Sequence, residues 1–387
     1  MTEFWQQEMA KTVDELETPM VLVHRAKLEQ NVREMAEFAR EHGVRLRPHL
    51  KTHKTWEIAE LQLAAGAVGL TCAKLGEATV FLERGARDVL VAYPLVGPKI
   101  RRLFELMAQY PQAVLQTLTA ELAHAQALSE AAVAQGVQLK VWLKVDSGLK
   151  RVGVEPGERA AQLFREMAQL PGLDVQGFLT HAGHAYGAQT PEQVRAIGEY
   201  EAHCLLETMA LVQSQGEIQS QKQNASSLAV SVGSTPTVRI SGAVSGVTEI
   251  RPGNYVFCDA TQIRLGVVRP ERVSLRVLSR VVSRPAGDRI VIDAGAKTLA
   301  LDRGAHGSDA LQGYGLIVGH EHAVIERLSE EHGVVRIPTD SHIRVGDVLE
   351  IIPNHSCPVA NLTDHLTVLN HDGSLSVWSV IARGQTI

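Results

Sequence analysis

Five basic side chains occupy alternate positions in the segment RLRPHLKTHK, namely Arg45, Arg47, His49, Lys51 and His53. In an extended chain, alternate side chains point to one face, so this segment would present an unusually basic surface. A lysine that is crowded by other cations and partly desolvated binds its proton less tightly, which makes it a better nucleophile towards an aldehyde. Lys51 is therefore a candidate amine nucleophile. The alternative is a solvated basic strand edge or a general phosphate-binding patch.

A second segment, VSVGSTPT, has the composition of a phosphate-binding loop. Gly233, Ser234 and Thr235 come directly after a β-branched run, where free backbone N–H groups and hydroxyls can bind a phosphate. The alternative is an ordinary turn into a helix that is capped by Ser234 or Thr235. By itself the segment leaves both interpretations open.

The segment FLTHAGHAYG puts three polar side chains after another predicted strand, namely His181, His184 and Tyr186. A histidine at such a position can act as a general acid or base near neutral pH. A histidine at a strand end is equally often a hydrogen-bonded structural group. We therefore predict that His181 or His184 is a catalytic acid or base, and that the segment lies at the site.

The segment PNHSCP contains His355 and Cys357 between two prolines. An imidazole and a thiolate two residues apart in an extended loop point the same way, and both bind Zn²⁺ or a similar divalent metal. Two ligands do not complete a structural zinc site, so they leave positions for water and substrate, as a Lewis-acid role requires. The alternative is a buried cysteine that happens to lie beside a histidine.

The elements that must position these side chains are strands alternating with helices. Short apolar runs predict strands at 20–23, 67–71, 89–92, 140–145, 177–181 and 228–232. Amphipathic runs between them predict helices at 27–42, 57–65, 99–109, 121–135, 158–170 and 190–215. So many β/α units in about 230 residues favour a closed (β/α)8 barrel over an open doubly wound sheet. A barrel of this kind carries its active site at the carboxyl ends of its strands.

The later part of the chain has a different pattern. Short β-rich runs such as VSLRVLSRVVSR, DRIVIDAG and DVLEIIP are separated by Gly, Pro, Asp and Asn, which predicts an antiparallel β domain. We predict a barrel domain at 18–252 and a C-terminal β domain at 253–387, with residues 1–17 packing on the latter. The Gln- and Ser-rich stretch at 215–227 is predicted to be a polar loop within the barrel domain.

Composition narrows the class of function. The 387 residues carry a net charge of -5 with acidic and basic residues interspersed, so no broad cationic surface for nucleic acid or anionic membrane is expected. No apolar run reaches membrane-spanning length and no secretory signal precedes the first strand. Four widely spaced cysteines fit a reducing compartment. We therefore expect a cytoplasmic enzyme that acts on a small molecule.

In their order and spacing, these segments resemble the D-serine dehydratase and D-threonine aldolase family of fold-type III pyridoxal-phosphate enzymes. The resemblance covers nearly the whole chain, and its most specific matches are RPHLKTHK, THAGHAY, SVGSTPT, EIRPGNYVFCD, VIDAG and PNHSC. It implies a barrel like that of alanine racemase, a C-terminal antiparallel β domain and a head-to-tail homodimer. It also implies pyridoxal 5'-phosphate and a divalent metal, zinc in the first place and manganese or magnesium otherwise.

The resemblance assigns roles to individual residues. Lys51 would carry the cofactor, Arg151 would face its pyridine nitrogen, and His355 and Cys357 would hold the metal. Its other implied cofactor contacts are Tyr186, Gly233, Ser234, Thr235 and Tyr255. A permanent cation at the pyridine nitrogen makes the ring a weaker electron sink, so the metal should matter more.

The implied substrates are D-3-hydroxy amino acids, with the metal on the 3-hydroxyl and Lys51 as the base for the α-proton. The His-x-Cys pair favours dehydration of D-serine to pyruvate and ammonia, because aldolases of the family tend to carry His-x-Asp. Cleavage of D-threonine to glycine and acetaldehyde is the main alternative, and D-3-hydroxyaspartate remains an alternative substrate. An amino-acid racemase and a non-catalytic cofactor carrier are further alternatives.

Overall fold

Among the described residues, nine strands lie in the first two thirds of the chain, and eight of them form a parallel barrel. The computed structural model describes residues 4–12, 15–214, 228–305 and 309–387. In chain order these strands are β1 (Met20–His24), β2 (Arg45–Leu46), β3 (Leu70–Cys72), β4 (Asp88–Pro94), β5 (Val114–Thr119), β6 (Leu139–Lys144), β7 (Leu173–Leu179), β8 (Ala229–Val232) and β9 (Glu249–Ile250). The parallel strands follow the order β2-β9-β8-β7-β6-β5-β4-β3.

Hydrogen bonds between the loops at the two ends of this order close the barrel. The Val68 N–H donates to the Leu46 carbonyl (2.9 Å) and the Thr71 N–H donates to the Pro48 carbonyl (2.8 Å). His49 and Thr71 also form an isolated parallel bridge. The prediction of a (β/α)8 barrel is therefore confirmed. The strands are mostly buried on both faces, as β6 is, because helices cover the outside and side chains fill the interior.

Helices follow most strands and cover the barrel. They are α1 (Arg25–Glu41), α2 (Trp56–Ala64), α3 (Leu75–Glu83), α4 (Pro98–Gln109), α5 (Leu122–Gln135), α6 (Glu158–Ala168), α7 (Pro191–Ser214), α8 (Val238–Ser241) and α9 (Ala260–Arg264). Proline at the first position starts α4, since its missing N–H would be unpaired there in any case. Gly136 ends α5 in the left-handed conformation (φ +65°), which a residue with a Cβ rarely adopts. No helix in the described ranges is both long and apolar enough to cross a bilayer.

The second sheet is mostly antiparallel. Its own strands are β10 (Leu275–Ala286), β11 (Arg289–Ile292), β12 (Leu316–Ile317), β13 (Val324–Leu328), β14 (Gly333–Arg336), β15 (Val348–Ile352), β16 (His365–Leu369) and β17 (Leu375–Ser379). Two short helices, α10 (Ala296–Leu299) and α11 (Ser356–Leu362), lie among them. The main path is β13-β14-β11-β10-β1-β16-β17, and β15 pairs with β10 and β12. The predicted antiparallel β domain is confirmed.

The strand predicted at 20–23 is real, but its place in the barrel was wrong. β1 pairs antiparallel with β10 and parallel with β16, so it belongs to the second sheet. A short apolar strand that is buried on both faces has the same pattern in either sheet, because the pattern records burial and not the partner strand. The predicted boundary between 252 and 253 lies in the connection from β9 to β10. The predicted polar loop at 215–227 lies outside the described residues.

Candidate active site

A cavity of about 360 Å³ lies at the carboxyl ends of the barrel strands. The loops after β2, β3, β7, β8 and β9 line it, and so does the N-terminal turn of α11 from the second domain. A larger cavity of about 970 Å³ lies elsewhere, between α1, α7 and α9, and contains neither Lys51 nor the His355 and Cys357 pair. The smaller cavity is lined by His49, Lys51, Thr52, Lys54, Ala73, Lys74, Glu77, His181, Tyr186, Ser234, Thr235, Arg251, Gly253, Asn254, His355, Cys357, Pro358, Asn361, Gln385 and Thr386.

Lys51 reaches this cavity from a single 3-10 turn, Leu50–Thr52, that follows β2. Its backbone N–H donates to Nδ1 of His49 (3.3 Å), which fixes the start of the turn. Desolvation lowers the pKa of the Lys51 amine below its ordinary value. The Arg151 charge lowers this pKa further, and Cys357 and Glu77 act in the opposite direction. A larger neutral fraction makes this amine a better nucleophile and base.

The expected basic face is only partly formed. β2 ends at Leu46 and the chain then turns, so the alternation that would put five basic side chains on one face is broken. His49 and Lys51 line the cavity, whereas His53 is buried outside it and accepts a hydrogen bond from the Thr55 N–H on Nδ1 (3.1 Å). Arg47 points into the barrel, where it pairs with carboxylates.

The loops after β8 and β9 form the end of the cavity that suits a phosphate. Among the described residues, the backbone N–H groups of Ser234, Thr235 and Gly253 have no hydrogen-bond acceptor. The Ser234 and Thr235 side chains are buried at the same place. Unpaired buried N–H groups are rare in proteins, and a bound anion would satisfy them.

Gly233 has a different role from the one predicted. Its N–H donates to Oε1 of Glu201 (2.9 Å) and its carbonyl accepts a hydrogen bond from Nδ1 of His181 (2.8 Å), so its N–H is already used. It adopts φ +139°, and a Cβ there would lie 2.8 Å from the Arg251 backbone nitrogen. Glycine is therefore required for close packing of the two loops, and it positions His181 at the cavity.

The His355 and Cys357 side chains enter the cavity from the first turn of α11. Nδ1 of His355 lies 2.6 Å from Oδ2 of Asp302, so Nε2 is left as the ligand atom. Sγ of Cys357 lies 3.3 Å from the Thr52 hydroxyl oxygen and accepts a hydrogen bond from Nδ2 of Asn254 (3.6 Å). A carboxylate on the second nitrogen of a ligating histidine is a common support in zinc sites.

Electrostatics favour a thiolate beside this histidine. Desolvation alone would raise the pKa of Cys357, but the charge and hydrogen bond of His355, together with Thr52 and Lys51, lower it below the ordinary value. Desolvation would lower the pKa of His355, but the Cys357 charge and the Asp302 carboxylate raise it to about 10. In the described part of the chain, no group of three or more His, Cys, Asp or Glu side chains is arranged to hold a metal. An ion here would have two protein ligands, and water or substrate would complete its coordination.

The charge of the cavity matches an anionic cofactor. Glu77 is the only carboxylate among the described residues that line it, and its Oε1 lies 3.0 Å from Nζ of Lys54. The other oxygen accepts a hydrogen bond from the Ala73 N–H (2.6 Å). The lysines and Arg251 thus leave an excess of positive charge. Pyridoxal phosphate, with one phosphate and one aldehyde, fits this set of N–H donors and amines.

Besides Gly233, three predicted site residues do not line the cavity. The hydroxyl of Tyr255 accepts a hydrogen bond from Nε2 of Gln62 (2.9 Å), and Tyr255 is not among the residues that line the cavity. His184 packs against Gly148, where an added Cβ would lie 3.0 Å from its Nε2. Arg151 is exposed, although its charge acts on the pKa of Lys51. The geometry gives no support to a cofactor contact by Tyr255 or to catalysis by His184, and their roles stay predictions.

Several residues at the site were not found from the sequence. Asp302 lies 53 positions before His355, and no spacing rule joins them. Arg251 and Asn254 stand in EIRPGNYVFCD, so the resemblance pointed to their segment without a role. Arg251 is buried and donates hydrogen bonds to the Ser231 hydroxyl and the Thr180 carbonyl, which makes it part of the cavity floor.

A closed parallel barrel has a partly desolvated lysine at its mouth and is joined to a β domain that brings a histidine and a cysteine to the same cavity. This combination is that of an alanine racemase-type barrel enzyme. Family models agree with this class. "Alanine racemase, N-terminal domain" matches residues 23–261, and "Putative serine dehydratase domain" matches residues 274–369. The first model spans the whole parallel barrel, and the second spans β10 to β16 of the other sheet.

Individual relatives narrow the class. The chain is 31% identical to D-threo-3-hydroxyaspartate dehydratase of Delftia sp. strain HT23, over 96% of this chain and 98% of that protein. It is 30% identical to an Arthrobacter D-threonine aldolase, over 95% and 93% of the two chains. The crystal structure of D-threonine aldolase from Filomicrobium marinum matches with a TM-score of 0.85 at 29% identity, covering 97% of this chain and 98% of that one.

The chain therefore belongs to the family of pyridoxal-phosphate-dependent lyases that comprises D-serine dehydratases, D-threonine aldolases and the hydroxyaspartate dehydratases and aldolases.

Proposed function

We propose that this protein is a metal-dependent lyase that dehydrates D-3-hydroxy amino acids, with D-serine as the preferred substrate and pyruvate and ammonia as products. Lys51 would carry pyridoxal phosphate, and the N–H groups of Ser234, Thr235 and Gly253 would bind its phosphate. His355 and Cys357 would hold the metal. A homodimer in the cytoplasm remains our proposal for its working form, and light scattering on a size-exclusion column tests the dimer.

The observation that carries this proposal is that Lys51 and the His355 and Cys357 pair line one cavity of about 360 Å³. Dehydration removes a proton from the α-carbon and a hydroxyl from the adjacent carbon, so a base and a Lewis acid must act side by side. When bound, the cofactor withdraws electrons from the α-carbon. The desolvated amine of Lys51 is suited to take the α-proton on Nζ. The contact of Nδ1 with Asp302 fixes the His355 ring and leaves Nε2 as the atom that would bind the metal.

The donor atoms favour zinc over manganese or magnesium. Imidazole nitrogen and thiolate sulfur bind borderline and soft metals, whereas manganese and magnesium prefer oxygen ligands. The related Delftia dehydratase has been solved as a cysteine-to-alanine mutant in a metal-free form, which supports a role for a cysteine in metal binding there. By analogy we assign that role to Cys357.

Retro-aldol cleavage of D-threonine is the second candidate. The 30% identical Arthrobacter relative and the Filomicrobium structure are both D-threonine aldolases. The same cavity would serve if a base took the proton of the 3-hydroxyl in place of the α-proton, and His181 lines the cavity. The thiolate ligand is the feature on which we prefer dehydration.

The products separate the two candidates. Zinc-loaded holoenzyme is incubated with D-serine or with D-threonine, and the products are identified by mass spectrometry. Pyruvate from D-serine or 2-oxobutanoate from D-threonine supports dehydration, whereas glycine with acetaldehyde establishes the aldolase. Racemised amino acid, formed equally well in EDTA, would instead identify a racemase. Bound cofactor without turnover of any D-amino acid would identify a carrier.

The cofactor assignment has its own test. Lys51→Ala should abolish the visible absorbance of the bound cofactor and lower kcat/KM by at least about a thousandfold, because nucleophile and base are lost together. Lys99→Ala removes a lysine outside the cavity lining and should keep both properties. A normal visible band in Lys51→Ala would refute the assignment.

A further inference from the structure

The order of strands around the barrel mouth divides the cavity into two ends. The neighbouring strands β8, β9, β2 and β3 follow one another around the closed barrel. Their loops supply in turn Ser234 and Thr235, then Gly253, then Lys51, and then Lys74. If the phosphate binds after β8 and β9 and the aldehyde lies at Lys51, the next space around the mouth is the space after β3. The amino-acid substrate must occupy that space or the space facing the metal pair.

The end beyond Lys51 is enclosed by the loop after β3 and by the last residues of the described chain. The Gly76 N–H donates to the Ile387 carbonyl (2.9 Å), and Gln385 and Thr386 line the cavity beside it. An added Cβ on Gly76 would lie 2.9 Å from Oε1 of Gln385, so the two segments are in close contact. This end is therefore a bounded pocket and not open rim.

Lys74 stands out among the cations of this pocket. Its Nζ lies 3.8 Å from the centre of the Tyr93 ring, and Nζ of Lys99 lies 5.1 Å from the same ring. Two ammonium groups on one ring concentrate positive potential there. In the described ranges, Lys74 has no carboxylate within ion-pair distance. Lys54, in contrast, is paired with Glu77 (3.0 Å).

We propose that Lys74 binds a carboxylate of the substrate and thereby sets the orientation of the amino acid beyond Lys51. The inference rests on the proposed function, because it assumes a cofactor-bound amino acid. Every amino acid brings an α-carboxylate into the site, and a carboxylate that leaves water needs a cationic partner there. At this end of the cavity Lys74 has no carboxylate partner among the described residues, and its Nζ is held over the Tyr93 ring. A 3-hydroxyaspartate substrate would bring a second carboxylate with the same chemistry.

Binding of unreactive ligands tests this inference without turnover. Holoenzyme is titrated with D-alanine, D-aspartate or D-alaninol, which lack the 3-hydroxyl of a substrate, and the shift of the cofactor absorbance gives each dissociation constant. D-alaninol has no carboxylate. Lys74→Met should weaken binding of D-alanine by about tenfold or more, and should leave D-alaninol binding unchanged. Lys99→Met is the matched control, because it contacts the same ring from outside the cavity lining.

The outcomes separate the carboxylates and the hypotheses. Weaker D-alanine binding assigns Lys74 to the α-carboxylate, and weaker binding of D-aspartate alone assigns it to a side-chain carboxylate. Equal effects on D-alaninol, no effect on either acid, or the same loss in Lys99→Met would overturn the inference. Lys74→Gln replaces Lys74→Met if the latter does not fold. A wild-type protein without a cofactor band would contradict the proposed function itself. That result is distinct from any difference between the Lys74 and Lys99 variants.

Discussion

Two layers of the barrel interior hold buried cations in opposite ways. In the lower layer Arg47 is fully paired, with Nε 3.0 Å from Oε2 of Glu249 and NH1 2.6 Å from Oδ1 of Asp88. Desolvation acts to lower the pKa of Arg47, but the two carboxylates raise it above the ordinary value. The charge of Arg47 is thus neutralised within the chain. Ser231 also donates a hydrogen bond to Glu249 (2.7 Å), so this cluster has the contacts of a structural ion pair.

Near the mouth Lys54 pairs with Glu77 (3.0 Å), but two other lysines lack such partners among the described residues. Lys144 ends β6 inside the barrel, and among the described residues its ammonium has no ion-pair or hydrogen-bond partner. Desolvation lowers the pKa of Lys144 well below the ordinary value, and the charges of Arg251 and Arg151 lower it further. Desolvation also lowers the pKa of Lys51.

This difference in ion pairing indicates which end of the barrel binds a ligand. An uncompensated buried cation destabilises the folded protein, whereas a bound anion would remove that cost. The protein tolerates such cations at the mouth and avoids them in the layer below. The functional end of the barrel can thus be recognised from charge compensation, independently of any sequence motif.

The largest effect on stability is expected in the compensated layer. Arg47→Met should lower the free energy of unfolding by about 3 to 5 kcal/mol, because it leaves Glu249 and Asp88 with unpaired charge. Arg45→Met is the matched control, since Arg45 is 48% exposed and lies 3.9 Å from the same Glu249 carboxylate, so its loss should cost under about 1 kcal/mol. Urea unfolding of the cofactor-free proteins measures both. Equal losses would refute the distinction between the layers.

The metal end should respond less strongly to loss of its supporting carboxylate. Asp302→Asn should lower the zinc affinity by about 10- to 100-fold, because the His355 ring loses its anionic partner while both ligand atoms remain. Competition with a chromophoric chelator measures the affinity. Asp364→Asn is a control, since Asp364 pairs with Arg383 (2.7 Å). An unchanged affinity in Asp302→Asn would show that the ring is held by packing alone.

The smallest effect is expected at Lys144, and its sign is opposite to that at Arg47. Lys144→Met should stabilise the cofactor-free protein at pH 7 by about 1 kcal/mol, because an unpaired buried amine is replaced by an apolar side chain. The folded pKa of Lys144 lies below the unfolded value of 10.5, so the unfolded chain binds more protons between these values and wild-type stability rises with pH. The advantage of Lys144→Met should therefore shrink as the pH approaches 10.5. Chemical unfolding at several pH values tests this, and a constant difference would contradict it.

Part of this protein was determined by local sequence. Alternating apolar and amphipathic runs predicted the barrel, and the later β-rich runs predicted the second sheet, because burial on one face or both leaves a periodic record. Lys51, Ser234, Thr235, His355 and Cys357 were found from residue type and spacing, and all five line one cavity. Functional groups that lie close together along the chain can therefore be recognised from the sequence.

Other elements escaped prediction because their stabilisation is not local. β2 and β9 have two residues each and are strands because of their pairing in the closed barrel, where β9 lies between β2 and β8. β5 (VLQTLT) alternates weakly, since its polar Gln116 is buried and accepts a hydrogen bond from Nε1 of Trp142 (2.8 Å). α3 (LGEATVFLE) is short and has its apolar side chains all round, so no helical face is apparent.

Tertiary structure alone decided which partners each group meets. The sequence by itself determined which residues are able to act as a nucleophile, bind a phosphate or ligate a metal. Only the fold brought Asp302 to His355, turned the Tyr255 hydroxyl to Gln62 and assigned β1 to the second sheet. Only the fold also paired Arg47 while leaving Lys74 and Lys144 without carboxylates in the described residues. Local patterns record how deeply a residue is buried, whereas its partner is a contact between distant segments that only the closed barrel and its neighbouring sheet can make.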